Sequence, residues 1–294
     1  MVIHTAETLR ELGCATALLS RGYGRKGIRR VVLVDPGIED SFSDQELGDE
    51  PALIRRRASW MWLGVSKDRY SAARKLLERS HDLTFVLDDG FQHRRLERTL
   101  DILVIDCSQP LSEGRVFPRG SLREPLAGMS RAQVIVLNMG SSHAPPEGLE
   151  PFLRSFNASA PLLHCRQTIH FIVPFHHWSK GTQVVRTAPP KGKAFLVAAI
   201  GNPKRFQLDA EHAGIETCGS RYYRDHSRIE SQDWRSCAEA AQVRGADFLL
   251  TTEKDAIKVI DPPAYPLMVA VQSTCIQERA EFRSLLKHAL EGVP

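Results

Sequence analysis

The sequence predicts an α/β fold: a mainly parallel sheet with flanking helices, followed by a second, smaller α/β unit. Three observations lead there. Short apolar runs recur along the 294 residues and alternate with stretches of helical periodicity. Several of these runs stop in polar, glycine-bearing strings, such as LTFVL before DDGFQHRRL and AFLVAAI before GNP. Parallel sheets present their ligands at such carboxyl ends of strands. No apolar run approaches the roughly 20 residues of a membrane-spanning helix, so the chain as it stands is expected to carry no membrane anchor of its own.

Taken in order, residues 1–12 place Val2, Ile3, Ala6, Leu9 and Leu12 at helical spacing, and Gly13 ends that helix. The pattern is already running at Met1 with no capping residue before it, which reads as a domain entered in mid-helix. A short strand at 15–19 leads into SRGYGRKG, residues 20–27. Its glycines permit tight turns, and Arg21, Arg25 and Lys26 can hold phosphate oxygens; a basic surface loop is the plainer alternative. A strand at 30–34 and an acidic connection at 36–45 follow. GDEP at 48–51 sits at the start of a helix over 52–57, where acids complement the helix dipole. Next come a strand at 60–65 and a helix at 68–79 with Tyr70, Ala73 and Leu77 on one side.

The run at 83–87 is expected to be a buried strand that delivers Asp88 and Asp89 to its end, with Gly90 turning the backbone sharply. Buried strands are expected again at 101–106 and 133–138, with a long arginine-bearing loop between them. Residues 162–175 read as an antiparallel strand pairing with 181–185, and 187–193 as a linker. The second unit repeats the rhythm. It has a strand at 194–200, a helix through Phe206 and Leu208, and an extended segment ending at 222–226. A helix at 230–243 carries Trp234, Cys237 and Ala241 on one face. A strand at 247–250 ends in TTEKD, and a last strand at 267–271 precedes a closing helix at 278–290. The expected division is 1–160, a two-stranded linker at 161–190, and 191–294.

Bulk properties narrow the partners. Hydrophobic content of 42% and charged content of 25% describe an ordinary globular chain. A net charge of +4 suits an anionic ligand or an anionic membrane surface and is not the signature of a nucleic-acid binder. The six cysteines are scattered, without CxxC pairs or zinc-type clusters, which fits free thiols in a reducing compartment.

The strand ends carry acids, arginines and a histidine, with no Ser or Cys nucleophile motif. That inventory serves phosphoryl transfer, where acids hold a hard cation and accept a proton while arginines neutralise developing charge. Hydride transfer is excluded, because no GxGxxG follows a strand. Metal-dependent phosphoester hydrolysis uses the same parts with water as nucleophile and competes with the kinase reading.

The strings SRGYGR (20–25), GDEP (48–51), DDGFQHRRL (88–96), LREP (122–125), AIGNPKRF (199–206), DH (225–226) and LTTEKDAIK (250–258) occur in that order. In this combination the chain resembles the tetraacyldisaccharide 4'-kinases, the lipid A 4'-kinase family LpxK, from Leu18 to Lys258. The resemblance implies a P-loop-kinase-like fold of two α/β domains with the site between them. It implies ATP and Mg²⁺ as cofactors and an acylated glucosamine disaccharide 1-phosphate as acceptor, converted to lipid IVA. It also implies a peripheral place on the cytoplasmic face of the bacterial inner membrane.

Carried over, Asp49 is the expected catalytic base and His226 its partner. Asp88 and Asp89, with Glu50, are the expected Mg²⁺ acids, and Gln92 and His93 their polar neighbours. Arg123, and Arg119 beside it, are expected to face phosphate; Arg21 and Tyr23 lie near nucleotide or acceptor. The family's GGTGKTP phosphate loop is missing from these residues, as is its N-terminal membrane helix. Arg119 and Ser121 stand where the family tends towards Ala and Pro, and DHS replaces the common DHH. A truncated kinase impaired by loss of the loop is the expected reading. A degenerate homologue that binds lipid A precursor without catalysis, or a Mg²⁺-dependent phosphatase, are the alternatives.

Overall fold

The computed structural model describes residues 1–25, 30–38, 42–108, 111, 114–120, 122–181 and 190–292. In the N-terminal part the apolar runs become β1 (Thr16–Ser20), β2 (Val31–Val34), β3 (Trp62–Ser66) and β4 (Thr84–Leu87). They form one sheet in the order β2-β3-β1-β4, parallel except where β2 meets β3. Four helices accompany them: α1 (Val2–Glu11), α2 (Asp44–Leu47), α3 (Asp49–Arg57) and α4 (Arg69–Leu77). Gly13, at φ +87°, lets the chain leave α1 as expected.

The remaining strands are β5 (Ile102–Asp106), β6 (Val134–Asn138), β7 (Leu162–Pro174), β8 (Lys193–Ala198), β9 (Glu216–Tyr222), β10 (Phe248–Thr252) and β11 (Leu267–Ile276). They build a seven-stranded sheet in the order β5-β6-β7-β11-β10-β8-β9. All its neighbours are parallel except β7 and β11. The helices here are α5 (Leu149–Arg154), α6 (Phe175–Ser179), α7 (Pro203–His212), α8 (Ser231–Val243), α9 (Glu253–Ala256) and α10 (Arg279–Glu291). Trp234, Cys237 and Ala241 of α8 are buried against β8 and β10, the face that their spacing predicts.

Several expectations are corrected. The 83–87 run is half-buried along its length, because β4 is the last strand of its sheet. The DILVID run also lies at a sheet edge, with Val104 41% exposed. A continuous apolar run predicts cover on both faces, and an edge strand lacks part of that cover. On α4 the buried face is Arg69, Ala72, Ala73 and Leu76, while Tyr70 is 53% exposed. Gly64 of β3 explains the offset: a Cβ there would meet Leu76 Cδ1 at 3.0 Å and Ala72 Cβ at 3.2 Å, so the small stripe of α4 packs closest to the sheet.

β7 has an antiparallel partner in β11; the expected pairing with 181–185 falls on residues of which 182–185 lie outside the described ones. β7 pairs with β6 over its first residues and with β11 over the rest, so it runs through the sheet that also holds β8 and β10. β11 extends five residues past the expected end at Val271, and its pairing steps from Val271↔Phe171 to Gln272↔Ile169, a bulge that leaves His170 of β7 as the extra residue.

Candidate functional site

Parallel strands from both sheets end at one cleft of about 590 Å³. Its walls include Asp88 after β4, Asp106 and Asn138 at the ends of β5 and β6, Asn202 and Arg205 at α7, and Lys254 at α9. Asp49 and Glu50 enter it from the first turn of α3. The position of α3 depends on Gly48, at φ +90°. A Cβ there would lie 2.8 Å from the carbonyl oxygen of Tyr23 and 3.2 Å from the carbonyl carbon of Gly22. The GDEP and SRGYGR strings therefore touch backbone to backbone, and a side chain would push them apart.

Asp88 is shifted well above the usual carboxylate range. Burial raises its carboxyl to about 6, with Glu50 and then Asp89 adding to the rise. Ser20 Oγ donates to Asp88 Oδ2 at 3.4 Å and works in the opposite direction. Three carboxyl groups that resist sharing negative charge are a natural seat for a hard cation. Among the described residues no three acidic, His or Cys side chains converge closely enough to hold a metal unaided. Mg²⁺ ordinarily takes one or two carboxylates and completes its shell with phosphate and water, so Asp88 with Glu50 fits such a site.

Asp89 faces another partner. Arg123 Nη1 donates to both of its oxygens at 2.5 Å, and Gln92 Nε2 donates to Glu124 Oε1 at 3.1 Å. DDGFQ and LREP therefore interlock side by side. Asp89 itself adopts φ +48°, held by Arg69, whose Nη2 donates to the carbonyls of Asp88 at 3.1 Å and Asp89 at 3.3 Å. Arg69 is 5% exposed and was not anticipated from the sequence, where it reads as an ordinary first-turn residue of a surface helix. His93 is half-buried and its imidazole is held below its usual range, first by burial and then by Arg69. Arg21 and Arg119 are exposed.

Two further residues meet across the cleft rim. The rings of Tyr23, from the first sheet, and His226, from the loop after β9, pack edge-on at 5.6 Å. His226 sits at φ +60°, its backbone N–H donating to Asp225 Oδ1 at 2.9 Å. Lys254 Nζ lies 3.3 Å from His226 Nε2 and 3.6 Å from Asp225 Oδ1. A lysine ammonium can only donate, so Nε2 accepts there. Among the described residues no hydrogen bond joins His226 to Asp49, whose carboxylate instead pairs with Lys258 at 3.2 Å. Lys254 and Lys258 lie within the LTTEKDAIK string, but the sequence gives neither a partner, because both partners are far away along the chain.

No helix among the described residues is long and apolar enough to cross a membrane.

Comparison with known proteins places this arrangement. The family model described as LpxK, tetraacyldisaccharide-1-P 4'-kinase, matches residues 1–291. The tetraacyldisaccharide 4'-kinase of Syntrophus aciditrophicus is 34% identical over 264 residues, covering 88% of this chain and 71% of its own. That of Geobacter metallireducens is 32% identical over 264 residues, covering 88% and 73%. The crystal structure of LpxK from Aquifex aeolicus, in an "apo" form in complex with ATP, superposes with a TM-score of 0.71. It covers 98% of this chain and 82% of its own at 24% identity, and so speaks for the fold. With the match running almost end to end and residues of GDEP, DDGFQHRRL, AIGNPKRF and LTTEKDAIK lining one cleft, the chain belongs to the tetraacyldisaccharide 4'-kinase (LpxK) family.

Proposed function

We propose that the cleft moves the γ-phosphate of ATP to the 4'-hydroxyl of a tetraacylated glucosamine disaccharide 1-phosphate. The observation that carries this reading is the meeting of Asp49, Glu50 and Asp88 with Lys254 on one cleft at the strand ends. Asp49 accepts the proton of the sugar hydroxyl, whose oxygen then bonds to the γ-phosphorus as the bond to the β–γ bridging oxygen breaks. ADP leaves, and the phosphate monoester remains on the acceptor. Asp88 and Glu50 would hold Mg²⁺, which supplies positive charge to the phosphate oxygens. Asp89 stands behind them in reserve, paired with Arg123. Arg123 is the residue whose cation turns to phosphate when nucleotide enters, with Arg119, Arg21, Gln92 and His93 around it. His226 and Tyr23 close the rim over the acceptor. The ATP complex of the Aquifex aeolicus relative supports the nucleotide assignment.

The acceptor is a lipid, and the +4 net charge supports work at an anionic membrane surface, peripheral on the cytoplasmic face of the inner membrane. The 294 residues contain no GxxxxGK[ST] string, the loop whose backbone N–H groups and lysine cradle β- and γ-phosphates. By themselves they are therefore expected to transfer phosphate slowly, with binding of the lipid without catalysis as the second reading.

Transfer of labelled γ-phosphate to the acylated acceptor tests both readings, in these residues alone and preceded by a phosphate loop from a family member. The loop-bearing protein should be the active one. In it Asp49→Asn should lower kcat by about 10²- to 10⁴-fold with little change in KM for ATP. Turnover equal to that of the unsubstituted protein rules out the base role. Inactivity of the loop-bearing protein with retained lipid binding favours the second reading.

A further inference from the structure

We propose that Lys258 is a positioning residue for Asp49, fixing that carboxylate in the cleft from the opposite sheet. The inference rests on the base role proposed for Asp49. Lys258 lies two residues past α9, its N–H donating to the carbonyl of Asp255 at 3.0 Å. Its side chain is 11% exposed and its ammonium lies 3.2 Å from Asp49 Oδ2. The ammonium nitrogen is fully buried and makes no well-aligned hydrogen bond among the described residues, so the ion pair with Asp49 is what offsets its burial. A buried ammonium without such a partner costs several kcal/mol. Its one ion pair among the described residues is with Asp49, while Asp255 lies near enough to feel its charge. Asp49, for its part, is 34% exposed on the cleft, and Oδ1 takes no hydrogen bond among the described residues. One oxygen is pinned and the other is free to receive a proton.

The turn that presents Lys258 is itself held firmly. Asp255 Oδ2 accepts the N–H of Ala199 at 3.1 Å and the hydroxyl of Thr252 at 2.8 Å. Glu253 accepts from Arg57 at 3.3 Å and from Trp178 Nε1 at 3.2 Å. Arg57 is the last residue of α3 and Asp49 the first. The LTTEKDAIK segment therefore grips α3 at both ends, Glu253 at its C-terminus and Lys258 at its N-terminus. This arrangement sets where the base stands relative to groups carried by the second sheet. A displacement of about 1 Å at a reacting group can cost 10²-fold in rate.

The test compares Lys258→Met, Lys258→Arg, Asp49→Asn and the double variant carrying both Lys258→Met and Asp49→Asn in the loop-bearing protein, with thermal melts to verify folding. Lys258→Met should lower kcat by about 10- to 100-fold and leave KM for ATP within about twofold. Lys258→Arg, which keeps the cation, should recover most of the rate, and Lys258→Gln serves if the Met variant does not fold. Once Asp49→Asn is in place, the loss of Lys258 should slow turnover no further. If Lys258→Met turns over normally while Asp49→Asn is slow, the positioning role is overturned and the base role stands. If Asp49→Asn is itself normal, the base role falls first. A double variant much slower than Asp49→Asn overturns the proposal too, because Lys258 would then act on phosphate and not through Asp49.

Discussion

A carboxyl group crowded by other carboxyls gives up its proton reluctantly, and Asp88 is raised to about 6 by burial, by Glu50 and by Asp89. Its ordinary value is 3.8, so the folded chain binds this proton more tightly than the unfolded one. The resulting stabilisation is complete below the unfolded value and is lost as pH rises through about 6. At neutral pH the ionised group therefore opposes folding, by about 3 kcal/mol. Asp88→Asn should raise Tm at pH 7 and flatten the pH dependence of stability below it. Added Mg²⁺ should raise the Tm of the unsubstituted protein and not of the variant; equal Mg²⁺ shifts in both would refute the cation role. At this scale the family's short strings pointed to Asp49, Glu50, Asp88 and Asp89 as site residues, and the structure sets Asp49, Glu50 and Asp88 on the cleft. The sequence did not reach Arg69, whose partners are backbone carbonyls 19 and 20 residues away. Nor did it show that Asp89 turns to Arg123 across 34 residues.

At the scale of elements, one histidine ties two helices to a strand. His164 on β7 meets Glu278 Oε1 at 2.8 Å through Nδ1 and Glu150 Oε1 at 3.0 Å through Nε2. Its N–H also donates to Glu278 Oε2 at 2.8 Å. Glu278 caps α10 and Glu150 sits in the first turn of α5. Both ring nitrogens can donate only when the ring is protonated. Burial opposes that charge, but the ring's hydrogen bonds to Glu278 and then Glu150 outweigh it, and the ring holds its proton above its usual 6.5. The sign follows: a raised histidine stabilises fully below about pH 6.5 and loses that contribution as pH rises through its folded value. Glu278 is shifted downward: burial would raise it, but hydrogen bonds from the His164 backbone and ring outweigh that. Its share is present above about pH 4.3 and lost in acid. Thermal melts of His164→Gln should show a larger deficit at pH 6 than at pH 8.5, and an equal deficit at both would show that the clamp carries no charge. Helix and strand positions were readable here from periodicity, but this clamp was not, because its three members come from three separate elements.

At the scale of the whole molecule, the two sheets are joined by buried polar groups as well as by apolar packing. Glu253 is 7% exposed and receives Arg57 and the indole N–H of Trp178. Within the seven-stranded sheet, Arg205 of α7 reaches Asp106 at 2.9 Å and Asn138 at 3.2 Å, at the ends of β5 and β6, and Gln167 of β7 at 3.3 Å. Glu253→Ala leaves the Trp178 N–H buried without an acceptor, and urea unfolding should show a loss of about 1–3 kcal/mol. Glu253→Gln, which keeps an acceptor, should lose less; an unchanged midpoint for the Ala variant would mean that this link holds nothing. The sequence by itself determined the α/β class, the runs that became strands, the longer helices and the family, because apolar periodicity and short strings are local properties of the chain; the four- to six-residue helices α2, α5, α6 and α9 are too short to show a period. The tertiary structure alone decided which strands are edges, which face of α4 is buried and which strand β7 pairs with. It also decided that Asp49 is held by Lys258 while His226 stands with Tyr23 and Lys254. Those outcomes depend on which surfaces meet after the chain has crossed itself, and Asp49 and Lys258 are adjacent only because two sheets close on one cleft.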